Sequence, residues 1–237
     1  MISWRLEQYQ ELGSTSDEII RRANAGEPAG LAVLALRQTA GRGSRGRAWS
    51  ASAGNLNLSV LLRPTRLAAE AGLFSLVSGI AVVEALEGLG GQGLCLKWPN
   101  DVLCDGAKLA GILIDASPDG DLLGWLGIGI GINLQSAPEI HGRRTIALAA
   151  QGLEISPQVA ARAILARLER WVEASAHAIR AAWLEKGHPP GTSMEIAYAG
   201  QRRCGRFVGL SETGELLLQC EDRIEVINTG EVLLANA

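Results

Sequence analysis

The sequence predicts an α+β fold, in which helices pack on a mixed β-sheet and a small all-β domain follows. Short apolar runs bounded by turn residues alternate with amphipathic helical stretches as far as Gly187, which is typical of a sheet covered by helices. The stretch 192–237 has only short alternating runs and turn residues, as expected of a small barrel or sandwich. A chain of 237 residues is long enough for both cores, and we place the domain boundary between residues 188 and 189.

Composition and charge describe a folded chain whose basic residues are clustered locally. The hydrophobic fraction is 47%, the mean hydropathy +0.14 and the formal net charge −3, whereas a general nucleic-acid binder is usually basic. The N-terminus carries no signal-peptide pattern and no apolar run reaches membrane-spanning length, so we expect a cytoplasmic protein. None of the four cysteines has C-x-x-C spacing and the three histidines are scattered, which predicts reduced, mostly buried thiols and no zinc site.

The first elements are an edge strand within 2–10 and a helix from about 15 to 25. Gly13-Ser-Thr-Ser-Asp-Glu18 contains a capping box, because a hydroxyl residue is followed three positions later by an acid. Gly26 and Pro28 end the helix. Capping alone would explain Ser14 and Thr15 if this segment stood by itself.

A glycine- and arginine-rich segment lies between two short apolar runs, 31–36 and 56–62, which indicate buried strands. No acidic residue occurs from Arg37 to Pro64, so backbone N–H groups and unpaired guanidinium groups are available to a phosphate. The simpler alternative is a solvated loop. A dinucleotide fingerprint is rejected, because no helix opens within the motif and no acid follows about 20 residues later. The segment holds Gly41, Gly43, Gly46 and Gly54, with Arg42, Arg45 and Arg47.

Two long helices are predicted from apolar positions spaced three and four residues apart. The first covers 67–89, and the second runs from the Ser156-Pro157 N-cap to about 185, where Gly187 and two prolines stop it. Residues 135–155 are irregular. The expected core positions are Leu73, Val77, Ile80, Val83 and Leu86 in the first helix, and Ile164, Leu168, Trp171, Val172, Ile179 and Trp183 in the second. Turns in the tail are expected at Gly200, Thr213-Gly214 and Thr229-Gly230.

The strands between these helices carry two lysines. One strand brings Lys97 to a break at Pro99, where Asn100 and Asp101 turn the chain. Hairpin signals at Asp105-Gly106 and Asp119-Gly120 then bound a strand over Lys108–Asp115 and a buried strand over 122–134. We therefore expect Lys97 and Lys108 on neighbouring strands joined by a short hairpin.

Charge and space favour a site at these strands, although a lysine in a strand is more often at a solvated edge. Gly127, Gly129 and Gly131 recur at every second position, which clears one face of the last strand for a ligand or another backbone. Two lysines and an arginine loop beside that face would stabilise negative charge that builds on a phosphate. Asn100-Asp101 adds a carboxylate for Mg²⁺, although a turn is its simpler role.

Four segments together resemble the signature blocks of the biotin–protein ligases, and they occur in that family's order. They are Gly41-Arg-Gly-Ser-Arg-Gly-Arg-Ala-Trp49, Lys97-Trp-Pro-Asn-Asp101, Lys108-Leu-Ala-Gly-Ile-Leu113 and Gly129-Ile-Gly-Ile-Asn133. The resemblance covers about residues 12–134 by motif. It implies a monofunctional enzyme whose catalytic domain, residues 1–188, is similar to class II synthetases, followed by a small SH3-like β-barrel at 189–237.

The resemblance also implies a role for individual residues. Lys108, Arg42 and Lys97 would be the catalytic groups, and Asp101 would hold Mg²⁺. Trp49 would stack on adenine, which is worth roughly 1–3 kcal/mol. The implied biotin-binding positions are Ser14, Thr15, Ser16, Gln38, Gly41, Arg42, Gly43, Ser44, Lys108, Gly129 and Gly131. The implied nucleotide-binding positions are Arg45, Arg47, Trp49, Lys97, Asn100 and Asn133.

Two positions depart from the family pattern. Ser16 stands where the family usually has asparagine, so one hydrogen bond to biotin is changed or lost. Ser44 stands where the family usually has a second arginine, which helps to retain the activated intermediate. We therefore predict weaker retention of biotinyl-adenylate than in related enzymes.

The implied activity joins biotin to a lysine of a biotin carboxyl carrier protein of a carboxylase, with ATP, Mg²⁺ and biotin as ligands and no DNA or membrane partner. A lipoate or octanoate ligase or transferase is the nearest alternative, although its usual R-R-x-x-G-G loop is absent. A biotin-sensing repressor would need a helix-turn-helix domain, for which the residues before the capping box are too few. A non-catalytic biotin-binding module and a homodimer are further alternatives.

Overall fold

The computed structural model describes residues 2–50, 52–198 and 201–233, which form two β-sheets and four α-helices. The first sheet has seven strands in the order β1-β2-β3-β7-β6-β5-β4, in which only β1 and β2 pair in parallel. The α+β prediction is confirmed. The strands are β1 (Arg5–Tyr9), β2 (Leu31–Ala35), β3 (Leu56–Leu62), β4 (Leu94–Lys97), β5 (Asp101–Cys104), β6 (Ala107–Asp119) and β7 (Leu122–Ile132).

The helices cover both faces of this sheet. Helix α1 (Thr15–Asn24) lies on one face, where Ile19 and Ala23 pack against alternate residues of β2. Helices α2 (Leu73–Gly88), α3 (Pro157–Val172) and α4 (Ala176–Lys186) lie on the other face and bury the larger core. The capping predictions are confirmed, because Ser14 accepts a hydrogen bond from the Asp17 amide and Ser156 from the Val159 amide.

The second sheet is antiparallel, with the order β11-β10-β9-β8-β12, which agrees with a small SH3-like domain. The predicted turns at Thr213-Gly214 and Thr229-Gly230 lie between its strands, whereas Gly200 lies outside the described residues. The boundary at 188/189 stays a prediction. The strands are β8 (Ser193–Tyr198), β9 (Gln201–Leu210), β10 (Leu216–Cys220), β11 (Arg223–Ile227) and β12 (Glu231–Leu233).

Two predicted elements are wrong. Asp101 does not form a turn but begins β5, a strand that the sequence analysis missed, so β5 separates Lys97 on β4 from Lys108 on β6. The single helix to 185 is two helices, because Ser175 accepts a hydrogen bond from the Ala178 amide and starts α4 anew. The six expected core residues of these helices are nevertheless all buried.

Helix α2 is buried on almost every side instead of on one face, because it is enclosed by α3, α4 and the sheet. A 3₁₀ turn, Ala68–Gly72, precedes it. Together the turn and the helix have 21 residues, and an 18-residue window within them is apolar enough to cross a membrane, which corrects the expectation that no apolar run reaches membrane-spanning length. Two thirds of that window is buried inside the protein, as in the core helix of a globular domain.

The expectation of mostly buried thiols is only partly right. All four cysteines are free, but only Cys104 is buried, and Cys204 is exposed on β9. Burial raises the pKa of the Cys104 thiol, with a further contribution from Asp105. This side chain is therefore an unreactive part of the core.

His188 links helix α4 to the second sheet through an aromatic cluster. Its ring lies 6.1 Å from that of Trp183 on α4 and 6.3 Å from that of Phe207 on β9. The side chain is 8% exposed, and its Nε2 has no hydrogen-bond partner among the described residues. Burial, with a smaller contribution from Lys97, lowers the pKa of His188 from 6.5 to about 4.

This histidine should make the protein acid-sensitive. As the pH falls, His188 of the unfolded chain takes up a proton before that of the folded protein. The free energy of unfolding is therefore unaffected above about pH 6.5, and it falls by about 1.4 kcal/mol per pH unit between pH 6.5 and pH 4. Urea unfolding at several pH values measures this slope, which His188→Phe should flatten. His177→Phe, at an exposed position of α4, is the control, and a slope that persists in His188→Phe would refute the assignment.

Candidate active site

The glycine-cleared strand β7 faces α1 and the arginine-rich segment. A Cβ atom at Gly129 would lie 2.6 Å from Ser16 Oγ, and one at Gly127 would lie 3.1 Å from Ile19 Cγ2. A Cβ atom at Gly131 would overlap the indole of Trp49. The alternating glycines therefore create the space that the sequence predicted, and side chains from two other segments enter it.

The first cavity lies in that space, between α1, the arginine-rich segment and the sheet. Its lining joins residues that are far apart in the sequence. They are Thr15, Ser16, Gln38, Arg42, Gly43, Ser44, Trp49, Asn57, Leu58, Asn100, Lys108, Gly111, Ile112, Leu113, Gly129, Ile130 and Gly131.

A chain of hydrogen bonds forms the inner wall of the first cavity. Gln38 Oε1 accepts from the Thr15 amide at 2.7 Å and from Thr15 Oγ1 at 3.0 Å, and Gln38 Nε2 donates to Asn57 Oδ1 at 3.2 Å. Ser59 Oγ lies 2.7 Å from Thr15 Oγ1 and 3.3 Å from Ser16 Oγ. This buried wall offers hydroxyl and amide groups that both donate and accept, as a cyclic urea or amide requires.

Lys108 lies at the other end of the first cavity, and its ammonium forms an ion pair with the Asp101 carboxylate. Both side chains are less than one fifth exposed. The backbone of Lys108 is held on both sides, because its N–H donates to Arg144 O at 2.8 Å and its carbonyl accepts from the Ile146 amide at 3.0 Å. The loop after β7 thus fixes a cation at the cavity wall.

Trp49 occupies part of the first cavity. Its ring lies against Gly131 and Gly111, and its Nε1 is buried without a hydrogen-bond partner in the described structure. The free space is therefore only about 40 Å³, far below the roughly 300–1,000 Å³ of a typical ligand site. The indole has to move before a ligand can fill the cavity.

A second cavity, of about 520 Å³, lies between the two sheets. Four residues line both cavities and mark their junction: Ser44, Asn100, Ile112 and Leu113. The second cavity also contains Arg45, Arg47, Lys97, Asp101, Thr213, Gly214, Asn228 and Glu231.

The second cavity is lined by three cationic and three acidic side chains, which are Arg45, Arg47 and Lys97, and Asp101, Glu215 and Glu231. Burial lowers the pKa of Lys97, and Arg143 and Lys108 lower it further against the opposing effects of Asp101 and Glu231. Glu231 is the acidic residue at the centre of a cluster, in which it forms ion pairs with Arg45, Arg47 and Arg143. Burial acts to raise the pKa of Glu231, but Arg143, Arg47 and Lys97 outweigh it and lower the pKa overall.

The structure brings most of the predicted site residues together, with three exceptions. Ser14 caps α1 and is buried away from both cavities, as the simpler interpretation expected. Gly41 supports the loop, where its carbonyl accepts from the Trp49 amide at 2.9 Å. Asn133 is buried and donates to Ile146 O at 3.2 Å, while its Oδ1 has no partner within the described chain.

Several contributors were missed by the sequence analysis. Asn57 and Ser59 carried a usable signal, because they are polar residues inside an apolar strand that is completely buried. Glu231 and Arg143 carried none, because their position depends on how the two sheets pack. Trp49, expected to stack on adenine, lines the first cavity and not the second.

Neither cavity contains a ready metal site. No group of three His, Cys, Asp or Glu side chains suited to a metal ion occurs in the described part of the chain. Asp101 instead faces Lys108. The donor set therefore fits only a Mg²⁺ that is held chiefly by the phosphates of a nucleotide, with one carboxylate at most from the protein.

The arrangement suits the activation of a small carboxylic acid. A polar inner wall holds the head of the acid, and Lys108 can face its carboxylate. Arg45, Arg47 and Lys97 of the second cavity can take a polyphosphate. Fixed positive charge at the junction would stabilise the charge that develops during attack on a phosphorus atom. The site needs no covalent nucleophile for such a reaction.

Comparisons with known proteins agree with both halves of the chain. A model of the biotin/lipoate A/B protein ligase family matches residues 15–133, and a model of the biotin protein ligase C-terminal domain matches residues 200–234. A biotin–[acetyl-CoA-carboxylase] ligase of Paracoccus denitrificans is 34% identical over 212 residues, which are 84% of this chain and 88% of that protein.

Solved structures match over almost the whole chain. A biotin protein ligase from Aquifex aeolicus in complex with biotin and ATP is 30% identical, with a TM-score of 0.82, and the match covers 98% of this chain and 99% of that one. A biotin protein ligase from Leishmania major in complex with biotinyl-5-AMP is 27% identical, with a TM-score of 0.65, and the match covers 95% and 99%.

Proposed function

The chain belongs to the biotin/lipoate A/B protein ligase family, and from this membership we propose how its two cavities perform ATP-dependent ligation of biotin to protein. The biotin ligase relatives and the structures with biotin, ATP or biotinyl-AMP support that activity. They do not favour the lipoate and octanoate alternative.

The observation that carries the proposal is the junction of the two cavities beside Lys108. The ureido ring of biotin would lie against the wall of Thr15, Ser16 and Gln38, since it offers two N–H donors and one carbonyl acceptor. Its carboxylate would then point at the Lys108 ammonium, close to the phosphate-binding cavity. Arg45, Arg47 and Lys97 would hold the phosphates of ATP in the second cavity.

The reaction proceeds in two half-steps on this geometry. A carboxylate oxygen of biotin attacks the α-phosphorus of ATP in line, the bond to the bridging oxygen breaks, and pyrophosphate leaves with the displaced electron pair. The amine of an acceptor lysine then attacks the carbonyl carbon of the mixed anhydride, AMP leaves, and the amine loses a proton. Positioning and charge stabilisation supply the catalysis.

Trp49 and Asn133 would complete the nucleotide site. The indole has to leave the first cavity when biotin enters, and it then becomes available to stack on adenine. The unpartnered Asn133 Oδ1 is a buried acceptor that a ligand amine could satisfy. Mg²⁺ would arrive with ATP, and Asp101 is the side chain placed to contact it.

We place the protein in the cytoplasm and assign it a biotin carboxyl carrier protein as its acceptor, in line with the carboxylase named in its relatives. We also propose that the protein does not bind DNA, and that it acts as a monomer or a homodimer.

ATP–pyrophosphate exchange with biotin, lipoate or octanoate tests the proposed function. Exchange is expected with biotin and Mg²⁺, and far less with the other two acids, because the polar inner wall matches a ureido group. Exchange with lipoate or octanoate alone would keep the mechanism and overturn the substrate, and no exchange with any acid would reject the activity.

Replacement of Ser44 by arginine should slow the loss of biotinyl-adenylate by about tenfold, since a charge-assisted hydrogen bond contributes roughly 1.5–3 kcal/mol. Ser44 lines both cavities, so an arginine there can reach the phosphate of the intermediate. The off-rate of the adenylate, measured by chase with unlabelled biotin and ATP, reports the change. Ser50→Arg, at an exposed position of the same segment, is the control. Equal off-rates for Ser44→Arg and the natural chain would refute the weaker-retention prediction.

A further inference from the structure

Two side-chain amides at the first cavity connect two backbone groups of fixed polarity. At one end, Gln38 Oε1 lies 2.7 Å from the Thr15 amide nitrogen. At the other end, Asn57 Nδ2 lies 3.2 Å from the Ala35 carbonyl oxygen, and Gln38 Nε2 lies 3.2 Å from Asn57 Oδ1 between them. Because a backbone N–H only donates and a backbone carbonyl only accepts, each of the two amides has one orientation that satisfies every contact.

The hydroxyl groups beside these amides are ordered by them. Thr15 Oγ1 lies 3.0 Å from Gln38 Oε1, which only accepts, so the single hydroxyl hydrogen of Thr15 is directed there. The contact of 2.7 Å between Thr15 Oγ1 and Ser59 Oγ therefore uses the hydrogen of Ser59. The contact of 3.3 Å between Ser59 Oγ and Ser16 Oγ then uses the hydrogen of Ser16.

This order of hydrogens decides what the wall can offer to a ligand. Ser16 and Thr15 use their hydroxyl hydrogens within the wall and have only lone pairs left, whereas Gln38 Nε2 has one hydrogen left to donate. All three residues line the first cavity. The head group that fits has N–H donors toward Ser16 and Thr15 and an acceptor oxygen toward Gln38.

Asn57 and Ser59 are fixed parts of this arrangement. They lie two residues apart on one face of β3, and each is only 1% exposed. The β7 residues directly opposite them are Gly131 and Gly129, which have no side chain that could replace a lost partner. The wall therefore cannot rearrange without leaving a buried polar atom unsatisfied, at a cost of about 1–3 kcal/mol.

We propose, resting on the function assigned above, that Asn57 and Ser59 are positioning residues that fix the polarity of the first cavity and so select a head group with two N–H donors and one carbonyl. Asn57 acts through Gln38 at the carbonyl end. Ser59 acts through Thr15 and Ser16 at the N–H end. Ser16 is then an acceptor for the ligand, so the departure from asparagine at this position changes a hydrogen bond to biotin and does not remove it.

The carbonyl end is tested with biotin and 2-thiobiotin, in which sulfur, a weaker acceptor, replaces the ureido oxygen. Competition titration gives both dissociation constants, and their ratio is the preference for biotin. Asn57→Leu leaves the Gln38 amide held from one side only. Biotin should bind about tenfold more weakly, which corresponds to roughly 1.4 kcal/mol, and 2-thiobiotin should change by less than twofold, so the preference falls.

Two further variants separate positioning from stability. Asn57→Asp keeps an acceptor toward Gln38 and should retain the preference within about twofold, even where the fold is less stable. Asn55→Leu is the matched control, because Asn55 is a buried asparagine just before β3 whose side chain bonds Ser136 and Gln135 and lines neither cavity. It should lower the free energy of unfolding and leave the preference unchanged.

The N–H end is tested with Ser59→Ala, which frees the Ser16 hydrogen to turn toward the ligand, where it opposes an N–H donor. Biotin and 2-thiobiotin share these donors, so both should bind about fivefold more weakly at an unchanged preference, the effect of about one hydrogen bond. Ser78→Ala is the control, since this buried serine of α2 donates to Phe74 O at 2.6 Å and lines neither cavity.

The outcomes are distinct. An unchanged preference in Asn57→Leu, the same loss of preference in Asn57→Asp, or unchanged affinities in Ser59→Ala would overturn the proposal. Because the variants act at opposite ends of the wall, Ser59→Ala remains the test if Asn57→Leu does not fold. A natural chain that binds neither ligand would instead reject the proposed function itself.

Discussion

Replacement of Lys108 by alanine is expected to lower the rate of biotin adenylation by about 100- to 1,000-fold in a single turnover, the typical loss when one preorganised charge donor is removed. The ammonium lies at the wall of the first cavity next to the junction, and the loop around Arg144 fixes its backbone. Rapid-quench measurement of biotinyl-AMP formation gives the rate. Lys97→Ala should lower the rate of adenylation by about tenfold, because Lys97 lines only the second cavity.

The Lys108 variant needs a control for its partner. Removal of the ammonium leaves the Asp101 carboxylate buried without its counter-ion, which is destabilising by itself. Lys108→Ala combined with Asp101→Asn removes both charges and tests whether the loss of rate comes from the missing cation. If Lys108→Ala forms biotinyl-AMP as fast as the natural chain, the catalytic role of Lys108 is refuted. A larger loss of rate in Lys97→Ala would show that Lys97 contributes more to adenylation than Lys108.

Replacement of Gly129 by valine should weaken biotin binding by about 100-fold, which corresponds to roughly 2.7 kcal/mol. Even a Cβ atom at this position would lie 2.6 Å from Ser16 Oγ, and the two methyl groups of valine would extend into the first cavity. The strand is paired on both sides, with Ser59 of β3 and Leu113 of β6, so it cannot move aside. Isothermal titration with biotin measures the effect.

The same titration with MgATP should be nearly unaffected, because Gly129 does not line the second cavity. Gly88→Val, at the end of α2, is the control, since the nearest atom to its Cβ is the end of the Arg167 side chain at 3.8 Å. Normal biotin affinity in a folded Gly129→Val protein would mean that the acid binds elsewhere.

Local patterns were enough to predict the elements that form the site. The alternating glycines of β7, the turn signals before and after β6 and the serine cap of α1 each act within a few residues, so their effect is visible in the sequence. They also predicted that both lysines would meet the glycines and the arginine loop around one cavity, whereas Lys108 lines the first cavity and Lys97 the second.

Features that depend on packing could not be predicted in this way. The short strand β5 follows a proline turn, and its four residues give too little pattern to distinguish strand from loop. Helix α2 was expected to have one apolar face because nothing in its sequence says that α3 and α4 will cover the others. The partners of Arg42, Arg45 and Arg47 lie 25 to 186 positions away, so the loop looked free of acids when its sequence was read alone.

A crystal structure with a stable ether analogue of biotinyl-AMP tests the assignment of the two cavities most directly. We predict the ureido ring within hydrogen-bonding distance of Thr15, Ser16 or Gln38, the linking oxygen near Lys108 Nζ, and Trp49 moved from Gly131 to the adenine. An analogue bound with its ureido ring in the second cavity, or with Lys108 still paired only to Asp101 and remote from the ligand, would contradict this account.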